Sequence, residues 1–234
     1  MVMMLIFVVA VSGALLIGAA WGLFAPLSKR LEGFLIALAG GALILSLVSE
    51  LIEPAIEKSS ISLATGGIAA GAVVFAAIDY LIDEIWGDES GGGLLAAITL
   101  DGIPENLALG VALIAAGPMQ VAALAGSIFL SNLPEAAGGA KEMGEGGRSK
   151  AAIFGLCAAT AALLAVVAIA GNLLLAGASP HLLAFIQCFA AGAVVASLAT
   201  EVFPKVYEED HHLAGIATAL GLVLAFLLGE IGGG

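Results

Sequence analysis

The apolar character of this chain is its strongest constraint, because long apolar runs follow one another with only short polar breaks between them. A run of about 20 apolar residues is enough to cross the hydrocarbon core of a bilayer. Hydropathy, together with the placement of Gly, Pro and Ser, predicts eight spanning helices near residues 3–24, 34–56, 62–82, 93–116, 119–140, 151–176, 182–204 and 213–231. We therefore expect an all-α integral membrane protein in which residues 1–234 form a single transmembrane domain.

The composition supports this interpretation, with 61% hydrophobic and 11% charged residues. A soluble domain has far more charge, so the lipid bilayer is the expected environment. The net charge of −12 comes partly from acids within the apolar helices and partly from short acidic turns. A nucleic-acid partner is therefore not expected.

The basic residues predict how the helices are oriented. The odd-numbered connections hold Lys29, Arg30, Lys141, Arg148, Lys150 and Lys205, whereas the even-numbered ones hold Lys58. Positive charges stay on the cytoplasmic side, so the odd connections are expected inside and both termini outside. Helices 2 and 4 then run outward along the chain, and helices 5 and 7 run inward. The bacterial inner membrane is the expected location.

Carboxylates occur inside two of the predicted spans, each beside a proline. Residues 101–110 read DGIPENLALG, which places Asp101 and Glu105 four residues apart around a proline. Residues 131–140 read SNLPEAAGGA and repeat the Pro-Glu pair at Glu135. An acid in hydrocarbon is costly and marks a functional site by default. Two copies predict one site shared between helices 4 and 5.

The local physics of these motifs favours a cation site. Each proline removes a backbone donor, so the carbonyl oxygens of Leu100 and Leu130 are expected to be freed. Residues four apart share a helix face, which groups Asp101 with Glu105 and Ser131 with Glu135. If the two faces meet, carboxylate, hydroxyl, amide and backbone oxygens surround one point. Such a cluster repels itself unless a divalent cation or protons neutralise it.

An internal repeat indicates how the helices are related. Placing Glu50 on Glu201 aligns GALILSLVSE, residues 41–50, with GAVVASLATE, residues 192–201. Helices 2 and 7 run in opposite directions in the predicted topology, as do helices 4 and 5. This pattern is typical of an inverted-repeat transporter, whose substrate site lies at the repeat interface near the midplane.

The eight-helix plan and the two Pro-Glu motifs resemble the ZIP (Zrt/Irt-like) family of divalent metal transporters over nearly the whole chain. In that family helix 4 typically reads His-Asn-x-Pro-Glu-Gly, and helix 5 carries a related phrase. The resemblance implies that Glu105 and Glu135 bind the transported metal and that the protein is a homodimer. It also implies four further metal positions: Asp101 in place of the family histidine, Ser131 and Asn132 opening the helix 5 motif, and Glu201 on helix 7.

The departures from the family pattern bear on which metal is carried. Gly102 replaces the family asparagine, and Asn106 replaces the family glycine and is included as a candidate ligand. Glu50 is either an accessory ligand or a solvated acid near a helix end. The three histidines, His181, His211 and His212, are placed at helix ends. The site is therefore expected to offer oxygen ligands only, with weaker zinc selectivity than in His-bearing relatives.

The expected function is transport of divalent cations, in the direction of uptake, with zinc, iron, manganese and cadmium as candidate substrates and no prosthetic cofactor. The alternative is a calcium/sodium-type cation exchanger, which also uses repeated Pro-Glu motifs but normally has more helices. An enzyme is not expected, because the chain contains neither His-Glu-x-x-His nor Gly-x-Ser-x-Gly.

Overall fold

A computed structural model describes the backbone of residues 2–25, 27–86, 93–115 and 121–233, and every regular element in those ranges is helical. The α-helices are α1 Val2–Phe24, α2 Lys29–Leu47, α3 Glu53–Lys58, α4 Ile61–Trp86, α5 Gly93–Ala115, α6 Ala122–Glu145, α7 Lys150–Leu175, α8 Pro180–Ser197 and α9 Phe203–Gly233. Two π-helical turns, Val48–Ile52 and Leu198–Val202, join α2 to α3 and α8 to α9. The predicted all-α class is confirmed for the described residues.

Serine side chains begin four of the helices. The hydroxyls of Ser28, Ser60, Ser149 and Ser179 each accept a hydrogen bond from a backbone N–H three residues later, at the starts of α2, α4, α7 and α8. A hydroxyl at this position satisfies one of the backbone donors that a helix start leaves without a partner. The short polar breaks in the sequence therefore set where these helices begin.

The two π turns are caused by prolines that lie just after them in the chain. Pro54 has no N–H with which to bond the carbonyl of Glu50, and Pro204 likewise cannot bond the carbonyl of Thr200. The preceding N–H groups bond five residues back instead, from Glu53 to the carbonyl of Val48 and from Phe203 to the carbonyl of Leu198. A five-residue bond of this kind defines a π turn, a feature often found at functional sites.

Six helical stretches of the described chain are long and apolar enough to cross a membrane, which indicates a multi-pass membrane protein. They are Val2–Phe24, Lys29–Lys58, Ile61–Ile82, Lys150–Leu175, Pro180–Glu208 and His212–Glu230. The helices that carry the Pro-Glu motifs, α5 and α6, are not among the six. Their polar residues lie in the interior of the bundle, where Asp101, Glu105 and Asn132 are all buried.

The sequence predicts a connection between helices 7 and 8 at residues 205–212. The backbone there is helical, since α9 extends from Phe203 to Gly233, but α9 is not straight across this stretch. The adjacent residues Gly40 and Gly41 of α2 lie against the Phe203 ring and the Thr218 backbone, whereas straight helix would hold Phe203 and Thr218 about 22 Å apart. The predicted connection therefore coincides with a change of direction between the candidate spans Pro180–Glu208 and His212–Glu230.

The helices pack in pairs through glycines. The most extensive contacts join α2 with α9, α1 with α6, α4 with α8, and α5 with α7. Gly41 of α2 lies directly against the backbone of Thr218 in α9, and Gly71 of α4 lies against the backbone of Phe189 in α8. Small residues allow helix backbones in a membrane to approach closely. Gly67, one turn before Gly71 in α4, also contacts α8.

Two contacts bring connections of the chain to one end of the bundle. Lys141, near the end of α6, donates a hydrogen bond of 3.1 Å to the carbonyl of Leu27, just before α2. The ammonium of Lys150, at the start of α7, lies 4.3 Å from the centre of the Phe24 ring at the end of α1. We call this the basic end of the bundle, where α1 and α6 end and α2 and α7 begin.

The largest apolar cluster lies among α2, α5, α6 and α8. Leu43, Leu109, Leu124 and Ile128 have no exposed surface within it. The outer surface keeps many large apolar side chains exposed, including Leu174 of α7 at 81%. Exposed apolar surface of this extent fits contact with lipid.

Adding a single methyl group to one glycine tests the packing of α2 on α9. We expect Gly41→Ala to lower the free energy of unfolding by about 1–3 kcal/mol, because the methyl would overlap the Thr218 backbone. Gly13→Ala in α1 is the matched control, since a Cβ there meets nothing within 4 Å. Thermal unfolding in detergent measures both variants, and equal melting temperatures would contradict the packing described here.

Candidate metal site

The two Pro-Glu motifs lie in continuous helices. Pro104 is inside α5 and Pro134 is inside α6, and both are buried. In an α-helix a proline leaves the carbonyl four residues earlier without its usual donor. The helices contact one another, so the motifs of the two helices face a common region of the bundle.

Three carboxylates lie within electrostatic reach of one another in that region. Glu105 is repelled by the charges of both Glu135 and Asp101, and Glu135 is repelled by the charge of Asp101. The exposed fractions of Glu105 and Asp101 are only 6% and 9%. The hydroxyl of Ser131 donates to Oε1 of Glu135 across 2.5 Å, on the shared face that the sequence predicts. The structure therefore places Asp101 and Glu105 of α5 near Ser131 and Glu135 of α6, the two pairs that the motif spacing defines.

The three carboxylates are neighbours, but they do not form a finished metal cage. Among the residues that the structure describes, no three His, Cys, Asp or Glu side chains are placed so as to hold a metal ion together. A cation bound here would take its remaining ligands from hydroxyl, amide or backbone oxygens, or would draw the carboxylates closer.

Asp101 connects this region to α8. Its Oδ1 accepts a hydrogen bond of 2.6 Å from the hydroxyl of Ser197, and its carboxyl group also makes a side-chain hydrogen bond with Glu201. Asp79 of α4 lies close enough to repel it. Ser197 and Asp79 are absent from the predicted site. The repeat contains the signal for Ser197, because Ser46 and Ser197 occupy equivalent positions in it.

Glu50 is held elsewhere, at the first turn of α6. Its Oε1 accepts a hydrogen bond of 3.0 Å from the backbone N–H of Leu124. Close by, the hydroxyls of Ser46 and Ser127 lie 3.2 Å apart. A carboxylate at a helix N-terminus satisfies a backbone donor and is favoured by the helix dipole. In this structure Glu50 therefore joins α2 to α6 and is not grouped with the three central carboxylates.

The two predicted amide ligands differ in their surroundings. Asn132 directs its Nδ2 toward the carbonyl of Val11 in α1, at 3.4 Å. Asn106 donates through Nδ2 to the carbonyl of Gly102 at 2.9 Å, while its Oδ1 is buried without a hydrogen-bond partner. Buried acceptors are seldom left in this state, and a cation would satisfy the oxygen.

The two histidines whose side chains the structure describes, His181 and His212, do not contribute to the central set. His181 lies in the first turn of α8, and its side chain is exposed. His212 is also exposed and begins the candidate span His212–Glu230. The side chain of His211 lies outside the described residues.

The chain matches no protein-family model and no curated protein. The resemblance to the ZIP family therefore depends on the motifs and on the helix plan alone.

Removing one of the repelling charges tests the electrostatics of this set without any assay of function. We expect Glu105→Gln to raise the melting temperature of the metal-free protein at pH 8, because a neutral amide avoids the cost of burying a carboxylate and the repulsion by Glu135 and Asp101. Glu57→Gln, at an exposed glutamate of α3, is the matched control and should leave it unchanged. A lower melting temperature for Glu105→Gln would mean that the charge stabilises the fold.

Proposed function

We propose that this protein transports divalent metal cations across the membrane through a site built around Glu105 and Glu135. Zinc, iron, manganese and cadmium are the candidate substrates, and uptake is the proposed direction. The observation that carries the proposal is the mutual repulsion of Glu105, Glu135 and Asp101 in the bundle interior. A divalent cation relieves such repulsion more fully than any neutral ligand can.

The chemistry of the surrounding groups suits a metal held by oxygen. Ser131 provides a hydroxyl beside Glu135, and Asn106 provides a buried amide oxygen without a hydrogen-bond donor. Carboxylate, carbonyl and hydroxyl oxygens suit manganese and ferrous iron, and zinc also accepts carboxylates. The lack of nitrogen ligands in the described set favours a carrier of several first-row metals over one restricted to zinc.

The polar groups also suggest a route for the cation. Glu50 lies at the opposite end of α2 from the basic end, since α2 begins at Lys29 and leads directly into the π turn that holds Glu50. Glu105 and Glu135 lie deeper in the bundle, and Asp101 connects them to Glu201 on the way to the start of α9. We propose that the cation enters on the Glu50 side and leaves toward the basic end. Because positive residues favour the cytoplasmic side, the proposed exit faces the inside of the cell.

The remaining parts of the proposal follow from the ZIP resemblance and from the positive residues. We propose a location in the bacterial inner membrane with both termini outside, and a homodimer. We also propose an inverted repeat that relates α2 to α8 and α5 to α6, which are the predicted helices 2, 7, 4 and 5. The two π turns support the repeat, since Glu50 lies in one of them and Glu201 lies in the other. These are the residues that align in the repeated sequence.

Transport by purified protein in liposomes tests the function directly. Fluxes of zinc, manganese, iron, cadmium, calcium and magnesium are measured one at a time, with and without a sodium gradient. We expect flux of transition metals, abolished by Glu105→Ala and by Glu135→Ala because each removes a central carboxylate. Glu57→Ala is the control for loss of an exposed glutamate, and melting temperatures establish that each variant is folded.

Two outcomes of that experiment would contradict the proposal. Calcium accumulation driven by sodium, without any flux of transition metals, would assign the protein to the cation-exchanger class instead. Unchanged transport in Glu105→Ala or in Glu135→Ala would remove that residue from the ligand set.

A substitution at Asp101 tests the predicted basis of metal preference. We expect Asp101→His to move the preference toward zinc, because imidazole nitrogen is a better zinc ligand than carboxylate oxygen. The measurement is the ratio of zinc to manganese flux, compared between the variant and the original protein. Asp101→Asn is the control that removes the charge without adding a ring nitrogen. An unchanged ratio in Asp101→His would show that this position does not determine selectivity.

A further inference from the structure

Glu32 is a buried acid that the sequence does not single out. It lies in the first turn of α2, three residues after Lys29, yet only 4% of it is exposed. Its carboxylate lies directly against Gly138 of α6, so that a Cβ at Gly138 would overlap Oε1 of Glu32. The absence of a side chain at Gly138 therefore makes room for this carboxylate.

Lys205 of α9 forms an ion pair with this buried acid. Its Nζ is 3.7 Å from Oε1 of Glu32, and its side chain is 40% exposed whereas that of Glu32 is 5% exposed. The carboxylate is thus fixed inside the protein, while the lysine approaches it from a more open side. Together they join α2, α6 and α9 near the start of α2, at the basic end.

The pair lies next to the central carboxylates. Gly138 follows Glu135 by three residues, which places it on the same face of α6 and about 4.5 Å further along the helix. The direction is toward the end of α6, and hence toward the basic end. The positive charge of Lys205 also attracts the carboxylate of Glu135. One ammonium group therefore interacts with both Glu32 and Glu135.

We propose that Glu32 and Lys205 form the gate at the basic end of the cation path. The inference rests on the transport function proposed above and identifies how that site is closed. The ammonium of Lys205 takes the place of a cation between Glu32 and Glu135. A divalent ion bound at Glu135 repels the Lys205 ammonium, and the lysine side chain can move away because it is partly exposed. Glu32 is then a carboxylate on the route by which the ion leaves.

A purely structural ion pair would behave differently from this gate. Removing either partner of a buried pair destabilises a protein, so for a structural pair both variants would lower the metal flux. For a gate the two variants change the metal flux in opposite directions. Removing Lys205 clears the exit, whereas removing the charge of Glu32 releases the ammonium to approach Glu135 and compete with the metal.

The first test compares transport in Lys205→Ala, Glu32→Gln and the double variant. At zinc concentrations below saturation we expect Lys205→Ala to raise flux several-fold and Glu32→Gln to lower it several-fold. The double variant should exceed Glu32→Gln, because the competing ammonium is gone. Lys205→Arg should behave like the original protein. Lys29→Ala, at an exposed lysine in the same turn of α2, is the matched control and should have no effect.

The second test needs no transport. A thiol is introduced by Ser131→Cys in a protein that also carries Cys157→Ala and Cys188→Ala, so that the native thiols cannot react. In detergent and chelator, a small cationic thiol reagent should modify it several-fold faster when Lys205→Ala is added. Adding Lys29→Ala instead should leave the rate unchanged.

The outcomes separate the gate from the transport proposal. If the original protein carries metal but Lys205→Ala and Glu32→Gln both lose flux in proportion to their melting temperatures, the pair is structural and the gate is wrong. Equal thiol reactivity with and without Lys205→Ala overturns the gate on its own. Faster reactivity in Lys205→Ala, in a protein that carries no divalent cation, supports a gate and overturns the transport proposal.

Discussion

Repulsion among buried carboxylates is the constraint around which this structure is organised. Glu105, Glu135 and Asp101 carry like charges into a bundle whose outer surface is apolar. Each acid has a distinct local partner or neighbour: Ser131 donates to Glu135, Ser197 donates to Asp101, and Asn106 follows Glu105 directly. Hydroxyl donors reduce the cost of each charge but leave the repulsion between them. The two Pro-Glu helices, α5 and α6, are the ones whose polar side chains are turned inward, which is why the proposed cation site is placed between them.

The glycine contacts and the π turns determine where those acids can lie. Backbone contact at Gly41 and Gly71 fixes α2 on α9 and α4 on α8, and so fixes the positions of the two π turns that follow α2 and α8. Glu50 and Glu201 lie within these two turns. Glu50 accepts a hydrogen bond from the start of α6, and Glu201 makes a side-chain hydrogen bond with Asp101 of α5. The acids that align in the repeat thus contact the two Pro-Glu helices separately.

The sequence predicts the central part of this arrangement because its signals are local. Four-residue spacing places Ser131 with Glu135 on one face, and the cost of acids in hydrocarbon predicts that the two faces meet. Glu32 could not be predicted in the same way, since it follows Lys29 and Arg30 and is typical of a solvated turn. Its burial depends on Gly138, more than a hundred residues away, and no local pattern connects them. The π turns had a local signal in Pro54 and Pro204.

The way the carboxylates are spaced also has a consequence for the proposed transport. A site that already held three acids around one point would bind a divalent ion tightly and release it slowly, whereas transport needs an ion that can leave. Among the described residues the acids lie within reach of one another's charge but are not assembled around a common point. Binding would then have to draw α5 and α6 together, and part of the binding free energy would go into that movement. Lys205, attracted to Glu135 from the basic end, provides a cation that can return when the metal leaves. In the proposed transport cycle, the loose spacing of the three carboxylates and the nearby ammonium of Lys205 both favour release of the metal.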